Sequence, residues 1–175
     1  ARASGKIGVC IATSGPGATN LITGIADAQI DSTPLVCITG QVSSDLLGTD
    51  AFQETDVVGI SMPVTKWNIQ VTKSEDIPKA IAKAFYIAGS GRPGPVLVDI
   101  TKDAQFDTLD FSYKKCRSIR SYIPPPNSDI TKIKTAAKLI NNAKKPYVLF
   151  GQGVLIADAK DEFKNFIEKG NIPAA

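Results

Sequence analysis

Ser14-Gly15-Pro16-Gly17-Ala18-Thr19-Asn20 is the stretch on which the fold turns. The apolar run Ile7-Gly8-Val9-Cys10-Ile11-Ala12 leads into it and has the length of a buried strand. Leu21, Ile22, Ile25 and Ala28 follow at helical spacing. A Gly- and Pro-rich turn from strand to helix gathers unpaired backbone N–H groups and the positive end of a helix dipole at one point. Taken alone, this predicts a ligand seat, with an anion as the first expectation.

The stretches on either side extend the pattern. The first helix runs to about Ile30, where Asp31-Ser32-Thr33 ends it and Pro34 blocks continuation. Leu35-Val36-Cys37-Ile38-Thr39 is a second apolar run, suited to a strand covered on both faces. Strand, helix and strand of these lengths make a βαβ unit, and so a parallel sheet in an α/β protein. Residues 43–53 then show neither period yet carry Leu46, Leu47 and Phe52. A loop this apolar, leaving the carboxyl end of a parallel strand, packs either on a ligand or on its own domain.

Val64–Val71 alternates as a strand does. Ser74, with Glu75, Asp76 and Pro78, reads as a capped helix start, and Ile77, Ile81, Phe85 and Ala88 form its apolar stripe. Gly89–Gly94 breaks the pattern before the buried strand Pro95–Ile100. From Asp103 periodicity fades, and Pro124-Pro125-Pro126 reads as a stiff linker. A second pattern opens at Ser128 as cap, with Ile130, Ile133, Ala137 and Ile140 on one face. Pro146–Phe150 reads as a strand running into Gly151-Gln152-Gly153, followed by a helix over about 157–169. The expected organisation is an α/β unit over 1–103, a linker over 104–127 and the start of a second α/β unit from 128 to 175. Ala1–Lys6 resembles the last turn of a helix with a glycine stop, and Gly170–Ala175 a strand just starting. Both point to an internal piece of a longer protein.

Composition narrows the chemistry. The 175 residues are 43% hydrophobic and 21% charged, with a net charge of +3. No basic stripe with interleaved aromatics points to nucleic acid, and Lys114-Lys115-Cys116-Arg117 reads as a solvated linker. No apolar run has the length of a bilayer span. The chain has no histidine, which removes His-based triads and His metal sites; no cysteine pair has metal-ligand spacing. Cys10 and Cys37 sit in apolar runs as small hydrophobes, which suits a reducing, cytosol-like compartment. Gly-turns at 14–20, 89–94 and 151–153 are candidate ligand contacts, yet none ends as a P-loop and Gly151-Gln152-Gly153 lacks a third fingerprint glycine. Lys102-Asp103 lies at the carboxyl edge of its strand, either as a solvent pair or as part of a site. By these criteria the protein is a two-unit α/β molecule with candidate cofactor contacts and no assigned reaction.

The motifs resemble a known family. Thr13–Asn20, Gly40-Gln41-Val42, Gly48-Thr49-Asp50-Ala51-Phe52-Gln53-Glu54, Gly91–Asp99 and Gly151-Gln152-Gly153 follow, in order and spacing, the catalytic subunit of acetolactate synthase (acetohydroxyacid synthase). The Gly-Pro-Gly-Ala-Thr-Asn string is widespread among thiamine-diphosphate enzymes, whereas the string at 48–54 is much narrower. It speaks against siblings such as pyruvate oxidase or glyoxylate carboligase; a non-catalytic α/β binding module is the alternative from another class.

The resemblance implies that residues 1–103 are the later part of a pyrimidine-binding domain and that 128–175 open a central, FAD-binding-type domain. It implies Pro16, Asn20 and Gln53 at thiamine diphosphate, Phe52 and Gln53 facing substrate, Lys102 at the substrate channel, and Arg92, Gly151, Gln152 and Gly153 at FAD. The implied reaction is decarboxylation of pyruvate and transfer of the two-carbon unit to pyruvate or 2-oxobutyrate, in branched-chain amino-acid synthesis. The family's catalytic glutamate is expected upstream of Ala1, and its Mg²⁺ ligands downstream. The piece alone is therefore expected to be inactive. The implied partners are a second catalytic subunit, in a homodimer or larger assembly, and a regulatory subunit. The implied compartment is the cytoplasm in a bacterium and an organelle in a eukaryote. In this family the diphosphate is held elsewhere, so the 14–20 turn is expected beside the aminopyrimidine and not as a phosphate seat. Ser43 and Thr101 stand where many relatives carry proline.

Overall fold

The computed structural model describes residues 1–123 and 128–175, and the chain divides into two units, 1–125 and 126–175. The first unit is built in chain order from β1 (Gly8–Ala12), α1 (Pro16–Ile30), β2 (Leu35–Gln41), the short α2 (Val57–Ser61), β3 (Trp67–Val71), α3 (Ile77–Gly89), β4 (Pro95–Thr101) and the short α4 (Lys102–Phe106). The strands form one parallel sheet in the order β1-β2-β4-β3. The crossover from β1 to β2 and that from β3 to β4 run in opposite directions along the sheet. Right-handed connections therefore put α1 and α3 on opposite faces.

Period-two alternation sorts the strand residues between those faces. Val36, Val96, Val98 and Ile100 meet α3 through Ala80, Ala84, Ile87 and Ala88. Cys37 and Leu97 meet α1 through Ala18 and Ile25, with Val57 of α2 closing the layer. Small residues along α3 let its backbone approach the sheet closely. All seven residues of β4 are buried, as a strand between two neighbours and two helical layers must be. Burying each of its Val, Leu and Ile side chains contributes about 1.5–3 kcal/mol.

Several sequence expectations are corrected. The Ile7–Ala12 run is only partly covered: β1 is the sheet edge, Ile7 packs on the α3 cluster, and Val9 and Ile11 are 50% and 75% exposed. The strand expected over 64–71 begins at Trp67, because Met62-Pro63-Val64 forms a 3₁₀ turn. Ser74 opens a 3₁₀ turn before α3 and makes no capping bond there; its hydroxyl donates to Asp107 at 2.7 Å. Of the stripe Ile77, Ile81, Phe85 and Ala88, only Ala88 is fully buried, and the others flank the alanine ridge.

Residues beyond α4 pack back on the first unit. Ile119 and Tyr122 form an antiparallel bridge. The Tyr122 hydroxyl donates to the Ser90 carbonyl at 2.9 Å, as Lys66 Nζ does at 2.7 Å. Lys66 Nζ also lies 5.5 Å from the Tyr122 ring centroid, so the segment is clasped at the C-terminus of α3. The triple-proline linker, Pro124–Pro126, lies outside the described residues.

Cys10 and Cys37 are register partners, with their sulfurs 3.2 Å apart and both thiols free. Their shared hydrogen bond draws Cys10 down to about 7 and, together with burial, pushes Cys37 above the ordinary thiol range.

The second unit contains α5 (Ile130–Asn142), the single turn α6 (Gly153–Ile156) and α7 (Lys160–Gly170). The cap of α5 is Asp129, not Ser128: its carboxylate accepts from the Thr131 N–H at 2.9 Å. The stripe of α5 stays open, with Ile130 and Ile133 exposed. Instead of a full strand at 146–150 there is one parallel bridge, Val148 with Ala174. It is held by Val148 N–H to Pro173 O and Ala175 N–H to Val148 O, at 2.9 and 3.0 Å. Asn171 ends α7 in the left-handed conformation (φ 47°), which turns Ile172 inward to burial.

Candidate functional site

Parallel strands deliver their following loops to one edge, and here the carboxyl ends of β1, β2 and β4 surround a cavity of about 660 Å³. That volume suits a small-molecule site. Ile11, Ile38 and Ile100 supply an apolar wall; Ser14, Phe52 and Lys102 reach it from three different loops.

The 14–20 turn shapes the site through its glycines. Gly15 has φ 54° and ψ −116°, a conformation open to glycine. A Cβ there would lie 2.7 Å from the Gln53 carbonyl oxygen and 2.9 Å from Gln53 Cβ. The missing side chain is therefore the space in which the 48–54 loop rests. Pro16 at the start of α1 has no N–H to offer, Gly17 donates to the Ser14 carbonyl at 3.2 Å, and Thr19 donates to the Gly15 carbonyl at 2.9 Å. Two positions at the helix start, Pro16 and Gly17, are thus closed to an anion, which counts against a phosphate seat.

The loop is fixed by its own polar groups. Gly48, Asp50 and Gln53 all take left-handed φ values, of 79°, 58° and 61°. The Glu54 carboxylate accepts from the Gly48 N–H and, at 3.0 Å, from the Ala51 N–H. Those bonds hold its pKa below the usual glutamate range. Asp103 does the same for the start of the loop, accepting from the Ser44 N–H at 2.9 Å and the Ser44 hydroxyl at 2.5 Å. These bonds, the hydroxyl's first, hold Asp103 far below the ordinary carboxylate range. A lowered carboxyl pKa gives ordering that is full above the ordinary value and lost as pH falls through the folded one. We expect Glu54→Gln to remove that acid-side loosening of the loop. Amide exchange at Gly48 and Ala51 between pH 3 and 6 checks this; an unchanged pH response in the variant would refute it.

Of the residues singled out in the sequence, Phe52 is 88% exposed and lines the cavity, as does the exposed Lys102 at the start of α4. The backbone of Gln53 sits on Gly15. Pro16 and Asn20 lie on the exposed face of the first turns of α1. Arg92 is not part of this cluster. It lies beyond the opposite end of the sheet, where Nε donates to Ser32 Oγ at 2.7 Å and a terminal nitrogen to the Ile30 carbonyl at 2.9 Å. Gly151, Gln152 and Gly153 are exposed in the second unit, and neither glycine has an atom within 4 Å of where a Cβ would stand.

One group escaped the sequence reading. Asp99 is wholly buried. Its Oδ1 accepts from Thr39 Oγ1 at 2.6 Å; its Oδ2 accepts from Gln41 and Gln70, each at 3.1 Å. Burial raises its pKa against the pull of these three donors. The available signal was an acid inside the apolar run 95–100, which period alone marks as inward-facing.

Comparison with known proteins identifies the family. Residues 1–60 match the family "Thiamine pyrophosphate enzyme, N-terminal TPP binding domain", and residues 133–175 match "Thiamine pyrophosphate enzyme, central domain". The chain belongs to the thiamine pyrophosphate enzymes. Within that family it is 56% identical over 173 residues to the acetolactate synthase large subunit of Corynebacterium glutamicum. It is 50% identical to the acetolactate synthase of Mycobacterium leprae and 48% identical to the large subunit of Haemophilus influenzae. Each alignment takes in 99% of this chain but only 28%, 28% and 30% of the relative. The chain thus spans less than a third of the length of these relatives. Among the described residues no helix is long and apolar enough to cross a membrane.

Proposed function

We propose that this chain is the part of an acetolactate synthase that frames the aminopyrimidine side of a thiamine diphosphate site. The whole enzyme decarboxylates pyruvate and joins the two-carbon unit to pyruvate or 2-oxobutyrate. The observation that carries this reading is the seating of the Gly48–Glu54 loop on Gly15, which puts Phe52 and Gln53 beside the turn that precedes Pro16 and Asn20.

The residues fit the cofactor. The apolar cavity suits a flat heteroaromatic ring, and a helix start whose Pro16 has no N–H to give is a poor seat for its diphosphate. When bound, thiamine diphosphate supplies the electron sink for decarboxylation. This chain's residues would orient and shield the cofactor, with Pro16, Asn20 and Gln53 holding its ring. Phe52 and the isoleucine wall keep water away from the reacting carbons, and Lys102 holds the 2-oxo acid carboxylate near the cavity mouth. Within the second unit Gly151 and Gly153, open to close backbone approach, would contact FAD with Gln152; within the first, Arg92 is a separate FAD contact of this reading. Mg²⁺ ligands and the catalytic glutamate belong to other parts of the parent protein. We assign 1–103 to the pyrimidine-binding domain, 104–127 to a linker and 128–175 to the central domain. The parent pairs with a second catalytic subunit and with a small regulatory subunit. It works in the cytoplasm of a bacterium, or in an organelle of a eukaryote.

The test is acetolactate formation from pyruvate with thiamine diphosphate, Mg²⁺ and FAD supplied. The parent protein is expected to turn over and the isolated 175-residue chain to give none. Gln53→Ala in the parent should lower kcat/KM on the order of 10²-fold, since misplacing a reacting group by about 1 Å costs that much. Turnover by the isolated chain, or a parent that makes no acetolactate, would overturn the assignment.

A further inference from the structure

Gln41 uses every polar position of its side chain, and it uses them on both ends of one loop. Nε2 donates to Asp99 Oδ2 at 3.1 Å and to the Thr55 carbonyl at 2.8 Å, while Oε1 accepts from the Val42 N–H at 2.9 Å. Val42 is the first residue after β2, and Thr55 lies two residues beyond Gln53. One buried amide therefore ties the neck of the 42–55 loop, whose tip carries Phe52 and Gln53. The amide cannot turn over, because a flipped Oε1 would face both the Asp99 carboxylate and the Thr55 carbonyl.

Asp99 enforces that orientation. Thr39 and Gln70 are its register partners on β2 and β3, and Gln41 lies two residues along β2 on the same face as Thr39. The carboxylate is thus gripped from both neighbouring strands. A buried carboxylate is a costly way to fill a sheet, and well-packed apolar side chains at 41 and 99 would serve stability at least as well. What apolar residues could not do is bond Thr55. We propose that Gln41, oriented by Asp99, is a positioning residue that fixes where the Phe52–Gln53 loop meets the cavity. The inference deepens the reading of the cavity as a thiamine site, and its first measurement is independent of that reading.

The experiment compares the full-length parent protein with Gln41→Met, which keeps the length and loses the bonds, and with Asp99→Asn. The asparagine retains a carbonyl for both glutamine amides and can donate to Thr39. Hydrogen–deuterium exchange is followed in peptides from residues 44–55 and from β2 and β4. In Gln41→Met, exchange in the loop should rise about tenfold, the scale of one lost hydrogen bond, with the strands unchanged. The value of kcat should fall by more than KM rises. Asp99→Asn should stay near the parent in loop exchange and in kcat. Unchanged loop exchange in Gln41→Met, or loop and strands loosening together, overturns the proposal. Should Gln41→Met fail to fold, Gln41→Asn, one methylene too short to reach Thr55, provides the same contrast. A loosened loop in a protein that makes no acetolactate would refute the functional reading and leave this one standing.

Discussion

Gly15→Ala is expected to destabilise the first unit by about 2–6 kcal/mol and to dislodge the loop that carries Phe52 and Gln53. Two costs combine. The backbone at φ 54° and ψ −116° excludes a Cβ, and forcing one into such a region costs about 1–3 kcal/mol. The added methyl would also meet the Gln53 carbonyl oxygen at 2.7 Å and its Cβ at 2.9 Å, an overpacking of about 1–3 kcal/mol. Both contacts are with backbone or the first side-chain carbon, so no flexible tip can swing away. Urea unfolding of parent and variant measures the first effect; thiamine diphosphate affinity measures the second. A variant with an unchanged midpoint and unchanged affinity would show that the loop does not rest on this glycine. Gly24, where a Cβ meets nothing within 4 Å, is the matched control.

Asp99→Leu is the second large effect. It leaves the Thr39 hydroxyl and the Gln41 and Gln70 amides buried without their acceptor. With about 1–3 kcal/mol for each orphaned donor, a loss of about 3 kcal/mol or more is expected, against about 1 kcal/mol or less for Asp99→Asn. The pH dependence has a definite sign. Burial raises the folded pKa of Asp99 above its ordinary value of 3.8, so between the two values the folded state binds more protons than the unfolded. Its contribution to stability is full below 3.8 and falls as pH rises toward the raised folded value. Asp99→Asn should flatten that part of the profile. Chemical unfolding from pH 3 to 7 checks it, and a wild-type profile whose slope survives the substitution would show that Asp99 is not the group responsible.

How far the sequence revealed this architecture depended on how much of each element's environment was present in its own residues. Leu35–Thr39 and Pro95–Ile100 were legible because continuous apolar runs leave few alternatives to a doubly covered strand. The Gly-Pro-Gly turn marked the start of α1 for the same local reason. Edge and cap details were not legible. Nothing in Val9 or Ile11 says that β1 is a sheet edge, since that depends on which strands stand beside it. Pro146–Phe150 has the composition of a strand, but its ladder depends on a partner, and among the described residues only Pro173–Ala175 pairs with it. Ser128 and Asp129 are both good caps; geometry alone chose the aspartate.

The site divided in the same way. The motif at 48–54 drew attention to Phe52 and Gln53; the loop's closure on Gly15 sets Gln53 against the turn, and Phe52 lines the cavity. The amide and carboxylate that hold it, Gln41 and Asp99, lie 58 positions apart in sequence and became partners only through the β2–β4 register.

Strand β4 also separates two cations. Arg92 stands three residues before its first residue and Lys102 directly after its last, and seven residues at about 3.3 Å each set their backbones more than about 20 Å apart. That is more than two Debye lengths at physiological salt, about 8 Å each, and both side chains face solvent. Each positive charge is therefore screened from the other. At that distance a negatively charged molecule at one end of the sheet gains almost nothing from the cation at the other.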